Sequence, residues 1–153
     1  EGLTVGGILA PGELREGRRW SMDLLDLGSG ERIAMGTRDP ESPWPVLGSF
    51  RVNPGALALG LRALSPEAVE GCDLVVVDEV GPWELMGEGL APALEALYGS
   101  GVPLLLVARR SLVQDVLARY APEGAPVWDI SVMGSREISR SILERARATV
   151  LPG

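Results

Sequence analysis

Apolar and polar positions divide the chain into two stretches with different rhythms. Up to residue 52, short apolar runs are separated by turn residues, which predicts strands joined by tight connections. Residues 3–9 read as a small strand whose Gly6-Gly7 pair signals a close backbone approach or a bend. Pro11-Gly12 opens a turn, and residues 13–19 form a charged loop or hairpin tip. Residues 20–27 and 31–35 read as partner strands across Gly28-Ser29-Gly30, so the front third predicts a β-meander. Residues 37–47 hold Pro40, Pro43 and Pro45 around Trp44 and predict a loop. A short strand follows at 48–52.

Beyond this point the period lengthens. Asn53-Pro54 marks a helix start, with Asn as cap and Pro at the first helical position, and Leu57, Leu61 and Leu64 share one face. Ser65-Pro66-Glu67 predicts a second short helix ending at Gly71. From Asp73 onward strand and helix alternate. The apolar run Val75-Val76-Val77 predicts a buried central strand, followed by a helix around 89–98 with Leu90, Leu94, Leu97 and Tyr98 on one side. Residues 103–107 predict a strand, and Ser111 caps a helix with Val113, Val116, Leu117 and Tyr120 on one face. Residues 125–130 predict a further strand, and Ser135 caps a last helix bearing Ile138, Ile142, Leu143 and Ala146. The series predicts a single α/β domain over residues 1–153, with a mostly parallel sheet, flanking helices and a β-hairpin insertion near the front.

The stretch with the most chemistry is residues 73–85. An apolar strand ends in Asp78-Glu79 and breaks at Gly81-Pro82, which places two carboxylates where open α/β sheets bind ligands. This is the shape of a Walker B element, in which the Asp holds Mg²⁺ and the following Glu activates water. The plainer reading is a chain emerging into solvent after a buried strand; the Gly-Pro break favours a fixed turn.

Composition narrows the chemistry. All 14 basic residues are Arg; Lys and His are both absent, so a phosphate-loop lysine, Schiff-base catalysis and His-based triads or metal sites are excluded within these residues. The net charge of −7 argues against general affinity for nucleic acids or anionic membranes. No apolar run reaches the roughly 18 residues of a membrane span. Cys72, the lone cysteine, reads as a buried structural thiol, and with no signal peptide visible a reducing cytoplasm is the expected compartment. Among the arginines, Arg15, Arg18 and Arg19 lie on the charged tip. Arg109-Arg110 follow the next strand at the same sheet edge as Asp78, and Arg136 opens the last helix. Each suits bidentate phosphate contact or a solvated surface. Trp83, after Gly81-Pro82, is a packing residue or a flank of the ligand cleft.

Several segments together resemble the nucleoside-triphosphatase family first described in thermophiles, with relatives among animal cancer-related nucleoside-triphosphatases. They are Val5-Gly6-Gly7-Ile8, Glu13-Leu14-Arg15 with Glu16-Gly17-Arg18-Arg19, residues 22–27, residues 48–52, Asp78-Glu79-Val80-Gly81-Pro82-Trp83-Glu84-Leu85, and Ser135-Arg136. Trp83 and Ser135 stand where that family usually has Met and Asn. The resemblance implies a P-loop-NTPase-like fold and Mg²⁺-dependent hydrolysis of nucleoside triphosphates. It implies Asp78 as the metal residue, Glu79 as the catalytic one, and Glu13, Arg15 and Arg136 as nucleotide contacts.

The family's first strand, P-loop and first helix have no counterpart in these residues. That unit is expected upstream of Glu1 or on a partner chain; otherwise the chain is a non-hydrolysing binding or assembly module. An open edge between residues 75–77 and 104–107 would then be met by a rearranged sheet, by closure with residues 3–9, or by pairing with a P-loop partner chain or a second copy, with association expected. A metal-dependent phosphohydrolase using Asp78, Glu79 and Glu84 alone is the remaining reading.

Overall fold

The computed structural model describes residues 2–150, with the backbone alone at Val150. Eight strands form one sheet: β1 (Val5–Leu9), β2 (Gly12–Arg15), β3 (Arg18–Asp26), β4 (Arg32–Thr37), β5 (Val46–Leu47), β6 (Phe50–Val52), β7 (Leu74–Val80) and β8 (Leu104–Ala108). Their order is β5-β6-β4-β3-β1-β7-β8, with β2 paired to β3. The helices are α1 (Pro54–Ala63), the single turn α2 (Pro82–Leu85), α3 (Ala91–Ser100), α4 (Val113–Tyr120) and α5 (Ser135–Val150).

The α/β class matches expectation, but the sheet is mixed rather than mostly parallel. Only β1/β7 and β7/β8 run parallel; the other pairings are antiparallel. The reason is connection length. Short turns can join only antiparallel neighbours, whereas parallel strands need a crossover. The charged tip is a true hairpin: Glu16 and Gly17 both take positive φ (51° and 75°), the geometry that matches strand twist in a two-residue turn. The meander is therefore half of the sheet and not an insertion into it.

β7 is the central strand of the parallel part. Val75 and Val77 are fully buried, Val76 is partly buried, and β7 is paired on both sides by this chain. Residues 75–77 pair directly with Leu104, Leu105 and Leu106, so no gap separates the two strands. β1 takes the other side, where Gly7 faces Val76 across the ladder. The core gathers Ile8, Leu24, Leu59, Leu64, Val75, Val77, Val80, Leu94 and Leu97.

Several local expectations are corrected. Residues 65–71 make turns, not a helix. The buried face of α1 is Ala56, Leu59, Gly60 and Ala63, while Leu61 is exposed. Small residues win there because Gly60 receives Leu90, whose Cδ2 lies 2.8 Å from where a Cβ would stand. Residues 125–130 form a loop instead of a strand: Asp129 accepts from the Ser131 amide (2.9 Å) and hydroxyl (2.6 Å) and pairs with Arg110. These bonds occupy the local polar groups, and Pro122, Gly124 and Pro126 oppose a ladder. Finally, Ser111 lies in a 3₁₀ turn before α4, Ser135 is the first residue of α5 rather than its cap, and Leu143 is exposed.

Candidate functional site

β7 brings Asp78 and Glu79 to its C-terminal end and changes register there. Asp78 faces Val107 on β8, while the next paired residue is Val80, facing Ala108. Glu79 is thus the extra residue of a bulge, a device that re-aims side chains. The step lets Val80 take the inward place that strict alternation would have given to Glu79. Val80 is fully buried and Glu79 only partly so.

The two carboxylates have different surroundings. Asp78 is half-buried, and its Oδ2 accepts a long bond from the Ala10 amide (3.4 Å) just beyond β1. Burial pushes its carboxyl upward from the ordinary value. The Ala10 amide draws it back, the adjacent Glu79 charge pushes it further, and Arg19 draws it down. Glu79 Oε1 accepts from Arg109 (3.1 Å), the residue just after β8. With Arg109 66% exposed at its side chain and Glu79 26%, the pair orients the carboxylate more than it stabilises the fold. Two cations, Arg109 and Arg19, therefore belong to the environment of the acidic pair. Arg19, on β3, acts on Asp78 by charge alone; its side chain runs along Gly12, whose ideal Cβ would lie 3.2 Å from the Arg19 Nε.

Behind the pair the backbone is tied down. Gly81 precedes α2, and Glu84 in that helix is buried, with carboxylate oxygens accepting from the amides of Gly81 (3.0 Å) and Leu90 (3.3 Å). Tyr120 of α4 donates its hydroxyl to the Glu84 carbonyl at 2.9 Å. Arg119 donates to the Leu85 carbonyl (2.6 Å) and pairs with Glu95 (2.7 Å). Trp83 packs on Gly89, where a Cβ would come within 3.1 Å of its ring. Glu84 thus turns inward, and among the described residues no group of three acidic, Cys or His side chains could hold a metal. A metal site built from Asp78, Glu79 and Glu84 is not formed.

The other expected site residues are dispersed. Glu13 and Arg15 lie on exposed β2, paired with each other at 2.9 Å, with the Arg15 guanidinium 4.5 Å over Trp20. Glu13 borders a shallow depression of about 260 Å³ with Gly12, Asp23 and Arg32. Arg136 is exposed on α5, and among the described residues no hydrogen bond or ion pair joins it to Asp78 or Glu79. Glu84 and Tyr120 had not been expected as a clamp. The signal was readable: Gly81-Pro82-Trp83-Glu84 has the spacing of a helix start whose third helical residue is a Glu reaching back to the N-cap amide.

A sequence profile for a family described as "NTPase" matches residues 1–143. The chain is also similar to proteins named nucleoside-triphosphatase THEP1. It is 31% identical to that of Methanopyrus kandleri over 147 residues, covering 94% of this chain and 79% of the relative. Identity to that of Methanosarcina barkeri is 32% over 123 residues, covering 80% and 68%. For the Methanothermobacter thermautotrophicus protein it is 29% over 119 residues, covering 77% and 67%. No solved structure matches the chain. Among the described residues no helix is long and apolar enough to cross a membrane.

Proposed function

The chain belongs to the NTPase family, and from that premise we propose that it carries the acidic half of a site for Mg²⁺-dependent hydrolysis of nucleoside triphosphates. The observation that carries the proposal is the bulge at the end of β7, which sets Asp78 and Glu79 side by side at the C-terminal sheet edge with Arg109 on Glu79. The donor set suits the ion. Mg²⁺ is commonly held by one or two carboxylates together with substrate phosphates and water, and both Asp78 and Glu79 offer oxygens of the right hardness. Asp78 would hold it, usually through water. When bound, the ion neutralises charge on the phosphate oxygens.

Glu79 orients the attacking water and accepts its proton through the oxygen not engaged by Arg109. Arg109 and Arg19 contact phosphate in a chain without Lys. Glu13 and Arg15 on β2, and Arg136 on α5, are proposed for the nucleotide's outer parts. Hydrolysis on this reading requires a phosphate-cradling loop supplied upstream of Glu1 or by another chain. The protein acts in the cytoplasm, where a free Cys72 is stable.

One observation favours a second reading for these residues alone: they contain no Lys and no Gly-rich phosphate loop. On that reading the chain is a non-hydrolysing binding or assembly module. Phosphate release from ATP and GTP by the full-length protein, together with the loop-bearing chain where the loop is separate, with Mg²⁺ and with the metal chelated, separates the two. The hydrolytic reading expects Mg²⁺-dependent release that Asp78→Asn removes. Release indifferent to Mg²⁺ and to Asp78→Asn, or no release at all, overturns it.

A further inference from the structure

We propose that Glu84 is the positioning residue of the Asp78–Glu79 site, its buried carboxylate clamping the backbone that follows the acidic pair. The inference rests on the hydrolytic reading above. Glu84 is the one charged side chain buried among the described residues, at 7% exposure. Among those residues it forms no ion pair. A carboxylate buried without a cation is costly unless hydrogen bonds satisfy it. Here one oxygen takes the Gly81 amide and the other the Leu90 amide.

The two amides lie at opposite ends of a short loop. Gly81 is two residues beyond Glu79, and Leu90 immediately precedes α3. The loop is shaped around the carboxylate: a Cβ at Gly89 would lie 2.7 Å from Glu84 Oε1, and Gly89 takes a φ of +59°. Tyr120 fixes the carbonyl of the same residue from α4. Glu84 therefore ties the backbone leaving the bulge to α3 and α4. It never touches substrate; it sets the direction in which Glu79 points.

The test is steady-state hydrolysis by the full-length protein carrying Glu84→Gln or Tyr120→Phe, with Glu79→Gln as comparator. Glu84→Gln keeps the side chain's size but sets an amide NH₂ against a backbone N–H. It should lower kcat by about 10- to 100-fold, the cost of a slightly misplaced catalytic group, and leave KM for the Mg-nucleotide within about twofold. Tyr120→Phe removes one hydrogen bond and should lower kcat by about two- to fivefold. If Glu84→Gln does not fold, the kcat-against-KM split of Tyr120→Phe decides. An unchanged kcat, or a loss that follows only KM or the folded fraction, overturns the inference. When Glu79→Gln silences turnover and the clamp variants do not, this inference alone fails. When Glu79→Gln turns over like the parent, or the parent does not turn over, the hydrolytic reading fails and takes this one with it.

Discussion

Gly7→Ala tests the packing that sets the site's frame. Gly7 lies in β1 opposite Val76 of β7, with a φ of +102°. An added Cβ would stand 2.0 Å from the Val76 carbonyl oxygen and 2.7 Å from its nitrogen, and both are backbone atoms of a central strand. Neither can move without separating β1 from β7. The backbone conformation, nearly exclusive to glycine, costs about 1–3 kcal/mol for Ala. Each ladder hydrogen bond lost contributes about 0.5–1.5 kcal/mol. The expected destabilisation is about 3–5 kcal/mol, a large share of the roughly 5–15 kcal/mol that holds a domain folded. Gly6→Ala is the control, because its one close contact would be the Cys72 sulfur at 2.7 Å, a side-chain atom rather than backbone, with the next atoms at 3.9 Å. It should cost about 1 kcal/mol, the low end for overpacking. Urea unfolding followed by circular dichroism reads both. Gly7→Ala within about 1 kcal/mol of the parent would refute the β1–β7 register, and with it the placement of Ala10 against Asp78.

Further outcomes follow from the same geometry. The 153-residue chain alone, purified and supplied with Mg²⁺ and ATP or GTP, should release no phosphate above background; turnover lost on Glu79→Gln would instead reveal an unconventional phosphate site. Asp78 is raised above its ordinary value of 3.8, chiefly by burial, so the folded state binds its proton more tightly than the unfolded state does. The resulting penalty is fully present above the raised folded value and fades as pH falls toward 3.8. Asp78→Asn should therefore raise the urea midpoint at pH 7 and lose that advantage in acid; no gain at neutral pH would contradict the assignment. Leu94→Ala, at a core position 1% exposed, should cost about 2–5 kcal/mol, and Leu143→Ala on α5 no more than about 0.5 kcal/mol. Equal losses at the two positions would reverse the assigned faces.

What was readable in the chain, and what was not, follows from how local each cause is. The β-branched run of β7 and its Gly81-Pro82 stop are local signals, and the acidic pair stands where they placed it. The hairpin turns were equally local. The mixed character of the sheet depends on counting pairings, and the meander supplies most of them. The expected α1 face holds only in part: Leu64 is fully buried and Leu57 partly so, but Leu61 is exposed and the inward face runs through Ala56, Leu59, Gly60 and Ala63. Contact with Leu90 instead selects Gly60 and its small neighbours. At 125–130 the apolar residues looked like a strand, yet Val127 and Ile130 are 54% and 83% exposed and Asp129 holds the loop. The grouping of Arg109 with Glu79 needed the β7–β8 register, which the sequence states only indirectly. Glu13 and Arg15 follow from the family resemblance alone, and the structure sets them on exposed β2, paired with each other.

The most direct measurement is the pairing of turnover with nucleotide affinity in the full-length protein carrying Glu79→Gln. If Glu79 positions and deprotonates water, kcat falls by about 10²- to 10⁴-fold while the Kd for the Mg-nucleotide stays within a few-fold of the parent. Turnover that survives the substitution would contradict the account, and so would nucleotide binding that is lost with it.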